Sequence, residues 1–152
     1  MNVFDYFFNE TKSLNKDLIL GPTEQITFRQ IYIKSLRLAN YLRKNIGENN
    51  RIIIISQNSV FFIISYLGIL KSGNVCVPLN PVLKQDNLNY IISLTDCQLS
   101  FISLQVLFTH TILDTVINEN DLDKIISETE EIEFNTPFDE KRIAEIIFTS
   151  GS

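Results

Sequence analysis

The run Ile52-Ile53-Ile54-Ile55, then Gln57-Asn58-Ser59, then Val60 to Lys71, decides the fold. Consecutive β-branched apolar residues with no polar alternation predict a strand covered on both faces, as central parallel strands are. The polar triplet breaks the strand and offers side chains that can cap a helix. Val60 to Lys71 is apolar nearly all round, so the helix it predicts is deeply buried, and Gly73 ends it. Val75-Cys76-Val77 is the next short strand, and Pro78 and Pro81, having no N–H for a ladder, are expected to stop it.

Outward from this unit the same alternation continues. Upstream, Phe28 to Ile46 is helical: Phe28, Ile31, Ser35, Leu38, Ala39, Leu42 and Ile46 recur at three- and four-residue spacing, with Thr27 as N-cap and Gly47 as left-handed C-cap. Its basic residues lie largely off that stripe and read as a solvated face. Asp17–Leu20 and Gln25–Thr27 flank a Gly21-Pro22 turn and predict a small hairpin. Before it, residues 2–10 read as a short helix with Val3, Tyr6 and Phe7 on a shared face. Downstream, Asp86 is placed to cap a helix through Thr95, with Leu88, Ile91, Ile92 and Thr95 inward. Leu99-Ser100-Phe101-Ile102 is a further strand, so the pattern is βαβ and the sheet largely parallel. From Leu104 to Asp139 the periodicity fades: residues 115–127 read as a helix and Glu128 to Phe138 as an acidic loop. Glu145 to Phe148 is the last predicted strand.

Composition narrows the function. With 45% hydrophobic and 20% charged residues in 152, the chain has material for one folded core. The net charge of −5 argues against a general nucleic-acid binder. The acidity is local: residues 114–152 hold three Lys or Arg against eleven Asp or Glu, which reads as a solvated face. Cys76 and Cys97 sit in apolar contexts without metal-ligand spacing and read as buried thiols. No signal-peptide pattern opens the chain, and no apolar run reaches the ~20 residues of a membrane-spanning helix. The expected location is cytoplasmic, with no membrane span.

Few residues suggest chemistry by themselves. His110, between two threonines, has no second histidine or cysteine nearby and reads as a loop residue. Glu128, Glu130, Glu131 and Glu133 lack the glycine and ligand spacing of a calcium loop, so no metal site is assigned. A single histidine completes no convincing Ser-His-Asp set, and no catalytic residue is assigned. The exception is the end, where Ile146-Ile147-Phe148 runs into Thr149-Ser150-Gly151-Ser152. Glycine lets a backbone approach an anion closely, successive N–H groups form a nest, and hydroxyls add donors, so such a loop can hold a phosphate. Similar turns are common and most bind nothing. Neither GxxxxGK[ST] nor GxGxxG is present. Because the sequence stops within this loop, we expect it to be the N-terminal portion of something larger.

Three stretches together resemble the adenylate-forming superfamily of acyl-CoA synthetases, aryl-CoA ligases, luciferases and peptide-synthetase adenylation domains. Residues 67–83, Leu-Gly-Ile-Leu-Lys-Ser-Gly-Asn-Val-Cys-Val-Pro-Leu-Asn-Pro-Val-Leu, resemble its "LGxxKAGAxxVPLNPxL" block. Thr27-Phe28-Arg29-Gln30 and Leu38-Ala39-Asn40-Tyr41-Leu42 are similar to its "TYxEL…ANxL" opening. Phe148 to Ser152 resembles the first half of its "YTSGSTGxPKG" phosphate loop. Pro-Leu-Asn-Pro leans slightly toward the acyl-CoA synthetase branch.

The resemblance implies a three-layer αβα fold with a mostly parallel sheet, the N-terminal subdomain of such an enzyme. It implies ATP and Mg²⁺ as cofactors, a small carboxylic acid as substrate, and coenzyme A or a phosphopantetheine carrier as acyl acceptor. Carried over by position, Thr149, Ser150, Gly151 and Ser152 are the cofactor-binding residues, and the Gly73–Pro81 block has a fold role. The loop's lysine, the adenine- and ribose-binding segments, the magnesium glutamate and the C-terminal domain lysine have no counterpart in residues 1–152. The chain alone is therefore expected to be inactive, with the C-terminal remainder of the enzyme as its partner. Two alternatives stand beside this: a truncated, non-enzymatic interaction module exposing apolar surface, and an unrelated doubly wound nucleotide-binding domain.

Overall fold

The computed structural model describes residues 1–106, 113 and 115–149. Its elements are α1 (Val3–Phe8), β1 (Asp17–Leu20), β2 (Gln25–Thr27), α2 (Phe28–Ile46), β3 (Arg51–Ile55), α3 (Val60–Lys71), β4 (Val75–Leu79), α4 (Gln85–Thr95), β5 (Leu99–Ile102), β6 (Thr115–Ile117) and α5 (Glu119–Glu128). β1 and β2 form the antiparallel hairpin the turn predicted, while β4-β3-β5-β6 form a sheet parallel throughout. His110 and the residues around it lie outside the described residues.

β3 is the axis. Ile52, Ile53, Ile54 and Ile55 are all fully buried, and their alternation splits the core in two. Ile52 and Ile54 face a cluster with Leu38 and Leu42 of α2, Phe61 and Ile64 of α3, and Leu122 of α5. Ile53 and Ile55 face Leu88, Ile91 and Ile92 of α4. Helices thus cover both faces of the sheet, giving the expected three-layer αβα arrangement. Both thiols are free and buried; burial, then the Glu145 carboxylate, pushes Cys76 far above the ordinary thiol range, so it is chemically inert.

Local chemistry explains the helix ends. At α2, Thr27 Oγ accepts from Gln30 N–H at 3.2 Å while Gln30 Oε1 accepts from Thr27 N–H at 2.9 Å, a reciprocal capping box. Gly47 takes the expected positive φ of 80°, but its ψ of −148° leaves the helix by a glycine-only conformation outside the left-handed helical basin. Ser59 caps α3 by accepting from Phe62 N–H at 3.1 Å.

Five expectations are corrected. In α1, Phe4 and Phe8 point inward while Val3 and Tyr6 are exposed, because Asn2 caps the helix and sets Phe4 and Phe8 against Tyr32, with ring centroids 5.7 and 5.2 Å away. Asp86 does not cap α4; Lys84 holds that position without a side-chain bond, and Asp86 lies in the first turn. Residues 115–127 are not one helix: Thr115–Ile117 pairs with β5, and Asn118 then opens α5 with a capping box to Asp121. Finally, β4 continues through Pro78 to Leu79. Val75 N–H bonds toward β3, at Asn50 O, whereas Cys76 N–H points outward to Ala144 O. Pro78, two residues on from Cys76, therefore turns its donorless nitrogen away from β3 and costs that ladder nothing. The predicted strand Glu145–Phe148 is reduced to one parallel bridge, Cys76 with Glu145.

Candidate functional site

Parallel sheets place their binding crevices beyond the carboxyl ends of the strands. Here the chain leaves β3 toward β4 on one side and leaves β5 toward β6 on the other, so the switch point falls between β3 and β5. The hydroxyls at that point are already engaged. Ser56 Oγ donates to Gln57 O at 2.8 Å and lies 3.2 Å from Ser59 Oγ. Ser103 Oγ donates to Glu119 at 2.5 Å, and the same carboxylate accepts Leu104 N–H at 2.8 Å. The N-terminus of α3 is likewise filled, with Val60 N–H donating to the Glu24 carboxylate at 3.1 Å.

Open space lies one strand over, beyond β4. A groove of about 750 Å³ runs between the carboxyl end of β4 and the outer face of α4, lined by Leu79, Asn80, Lys84, Tyr90, Phe148 and Thr149 among others. Asn80 shapes its floor: the side-chain oxygen accepts Val82 N–H at 3.0 Å and the backbone oxygen accepts Leu83 N–H at 3.0 Å, folding Asn80-Pro81-Val82-Leu83 into a turn. That turn leads into the N-terminus of α4, which has no side-chain cap. Thr149 is exposed at the rim, carried there by Phe148, which packs against the cluster around Val77 and Ile91. Of the four residues assigned to phosphate binding, Thr149 is thus placed on a groove with a lysine nearby. Ser150, Gly151 and Ser152 lie outside the described residues.

The groove makes Asn80, Lys84 and Tyr90 candidates that inward-facing periodicity did not reveal. Tyr90 is 63% exposed on the outer side of α4, and Lys84 precedes the helix. Both were legible only as polar-face residues, because the sequence does not show which loop comes to lie against that face.

Other concavities carry less chemistry. One, about 970 Å³, is an open surface region lined by Arg43, Lys44, Glu128 and Glu130, away from Thr149. A second, about 490 Å³, surrounds Lys71, whose ammonium pairs with Asp5 at 2.7 Å and lies 5.2 and 5.1 Å from the ring centroids of Phe4 and Phe134. In the same region Glu133 accepts from Tyr32 at 2.7 Å and pairs with Lys12 at 3.3 Å, which holds its carboxyl below the usual range. These charges satisfy one another. Among the described residues no group of three or more His, Cys, Asp or Glu is placed to hold a metal ion. No helix of the described residues is long and apolar enough to cross a membrane.

Comparison with known proteins gives a family match. The model for "AMP-binding enzyme" matches residues 8–152. Surfactin synthase subunit 1 of Bacillus subtilis (strain 168) is 30% identical over 148 residues, which is 95% of this chain and 4% of that protein. Gramicidin S synthase 1 of Brevibacillus brevis is 28% identical over 149 residues, 93% of this chain and 13% of that one. The chain therefore spans a small part of the curated relatives it matches. Among solved structures, the anthranilate CoA ligase AuaEII in complex with anthranoyl-AMP superposes with a TM-score of 0.85 at 18% identity, over 99% of this chain and 32% of the ligase. The N-terminal domain of FACL13 from Mycobacterium tuberculosis gives 0.84 at 18% identity, over all of this chain and 42% of that one. These two show the fold. The sequence relatives are peptide synthetases and the structural neighbours include CoA ligases, so the comparisons do not assign the chain to one branch.

Proposed function

Because the chain belongs to the AMP-binding enzyme family, we propose that it forms the N-terminal portion of a carboxylate-activating ligase. The carrying observation is that the family match runs through Thr149-Ser150-Gly151-Ser152 while the segment leading to it runs parallel to β4 along its outer edge and brings Phe148 and Thr149 to an open groove. In the reaction, a carboxylate oxygen attacks the α-phosphorus of ATP, giving an acyl-adenylate and pyrophosphate. A thiol of coenzyme A or a carrier-bound phosphopantetheine then attacks the acyl carbon and releases AMP.

The chain's own share is electrostatic. Thr149, Ser150, Gly151 and Ser152 supply hydroxyl and backbone donors to the triphosphate, and donors aimed at developing negative charge lower the barrier to its transfer. The Thr149 hydroxyl fits that role because it is exposed on the groove rather than spent on the core. Mg²⁺ supplies charge neutralisation on the phosphate oxygens when bound. Among the described residues no group of three or more His, Cys, Asp or Glu is placed to hold it. By this reading the 152 residues do not adenylate unaided, and the protein acts in the cytoplasm.

The test is carboxylate-dependent ATP–pyrophosphate exchange by the native product of the reading frame, set against the 152-residue chain. Exchange by the former with one acid of a panel, and none by the latter, is the expected result. A reading frame that stops after Ser152, with a native mass of 17.5 kDa, sinks the enzymatic reading. A second reading, a non-enzymatic interaction module, is favoured by one observation. Val82, Phe138, Ile143 and Ile147 are each more than half exposed. Light scattering separates them, since a module of that kind self-associates and a clean monomer counts against it. With the family matched, the third reading, an unrelated nucleotide-binding domain, is set aside.

A further inference from the structure

We propose that Pro78 is a positioning residue: by withholding one N–H from the outer edge of β4, it makes the Cys76–Glu145 bridge a pivot for the segment that carries Thr149. The register supplies the argument. Cys76 N–H donates to Ala144 O at 2.9 Å, and Ile146 N–H donates to Cys76 O at 2.9 Å. In a parallel ladder the next bond on that edge runs from the N–H of residue 78 to Ile146 O. Both following bridges, Val77 with Ile146 and residue 78 with Ile147, need that same bond. Proline cannot make it, so one missing donor removes two bridges.

The structure bears the marks of that stop. Cys76 with Glu145 is an isolated bridge. No backbone hydrogen bond joins Ile147, Phe148 or Thr149 to another described residue. Ile147 is 67% exposed, although it follows a bridged position on a β-branched apolar run. Phe148 is held by its ring alone, packed against the cluster that includes Val77, Leu79 and Ile91. The segment therefore has a hydrogen-bonded fixed point at Glu145 and a side-chain anchor three residues later. Between them the backbone can rotate without breaking a ladder. For a segment that leads into a phosphate-binding loop, this leaves the N–H groups of Ile147, Phe148 and Thr149 free of the sheet. The functional meaning rests on the adenylation reading above; the pivot itself does not.

Residue-resolved amide exchange on the 152-residue chain tests it without any nucleotide, so it stands or falls separately from the exchange assay. Ile146 is expected to exchange at least ~100-fold more slowly than Ile147, Phe148 and Thr149, as a bonded amide differs from an open one. Equal protection at Ile146 and Phe148 would overturn the pivot. Pro78→Ala restores the donor. The new amide at position 78 and the amide of Phe148 are then expected to gain protection together, Phe148 by ~10-fold or more, as the ladder extends. A position-78 amide that exchanges like an open edge in this variant also overturns the proposal, whatever the variant's melting temperature. Should that variant not fold, the native exchange profile decides alone.

Discussion

Two regions of this molecule are ordered by opposite means. In β3, α3 and β4 the backbone satisfies itself and the side chains are free to be apolar, as with the four isoleucines at zero exposure. From Thr129 to Thr149 the backbone has almost no regular structure, and order comes from side chains reaching across the chain. Asn40 donates to Ile132 O at 2.9 Å, Tyr32 to Glu133 at 2.7 Å, and Thr136 to Lys71 O at 2.6 Å. The Arg142 guanidinium bonds Gly73 O and pairs with Glu48 at 3.4 Å. A core built the first way loses stability in proportion to volume removed; a strap built the second way loses it bond by bond, and locally.

The sharpest contrast is at Ile54, fully buried in β3. Ile54→Ala removes buried volume that neither face can refill, and is expected to cost about 2–5 kcal/mol, shifting the whole denaturation curve. A loss below ~1 kcal/mol, read from urea unfolding, would break the distinction, because the core would then be no tighter than the strap. Gly68 probes the same packing from the other direction. A Cβ there meets Leu38 Cδ2 at 2.6 Å, Cγ at 2.8 Å and Cβ at 3.1 Å. Helix propensity favours Gly68→Ala by ~1 kcal/mol, but the crowded atoms include the root of Leu38 and cannot all rotate away. The expected net effect is destabilisation of roughly 1–2 kcal/mol. In a double-mutant cycle with Leu38→Ala the two costs should be less than additive. Additivity would show that the contact had relaxed elsewhere.

This division also explains what the sequence made legible. Apolar periodicity located β3, α2, α3, α4 and β5, because in them each residue's environment is set by neighbours three, four or two positions away. It failed where the deciding partner is remote. Pro78 seemed a stop signal because a missing donor matters only on the side that is paired, and sequence does not say that β3 lies on the other side. Residues 115–127 read as one helix because nothing local shows that Thr115–Ile117 pairs with β5 before Asn118 caps α5. Of the candidate site, the motif singles out Thr149 but not the groove that Thr149 lines. Asn80, Lys84 and Tyr90 become lining residues only when Phe148 packs against Val77 and Ile91.

On the strap, Thr136→Val tests the bond-by-bond description. Thr136 Oγ donates to the carbonyl of Lys71, the last residue of α3, and both residues are buried. Valine keeps the shape and leaves that oxygen without its partner, at an expected cost of about 1 kcal/mol. The accompanying signature is local, with faster amide exchange from Phe134 to residue 136 and an unchanged profile in β3. A uniform rise in exchange across the chain would mean that strap and core unfold as one unit.

The last effect is a pH dependence at the seam between the regions. Tyr66 of α3 donates to the Glu145 carboxylate at 3.5 Å. Burial, then the negative charge of Glu145, pushes its phenol up to about 12 from the ordinary 10.0. A proton held more tightly in the folded chain stabilises that state fully below pH 10.0 and is lost as pH rises through about 12. The melting temperature should therefore fall across that window, and Tyr66→Phe should fall less steeply. Cys76 acts with the same sign from its ordinary 9.0 upward, so it is kept in both proteins and only the difference between them is read. Superimposable curves would mean that the phenol reaches water in the folded state and that Glu145 is held at the edge by its backbone bridge alone.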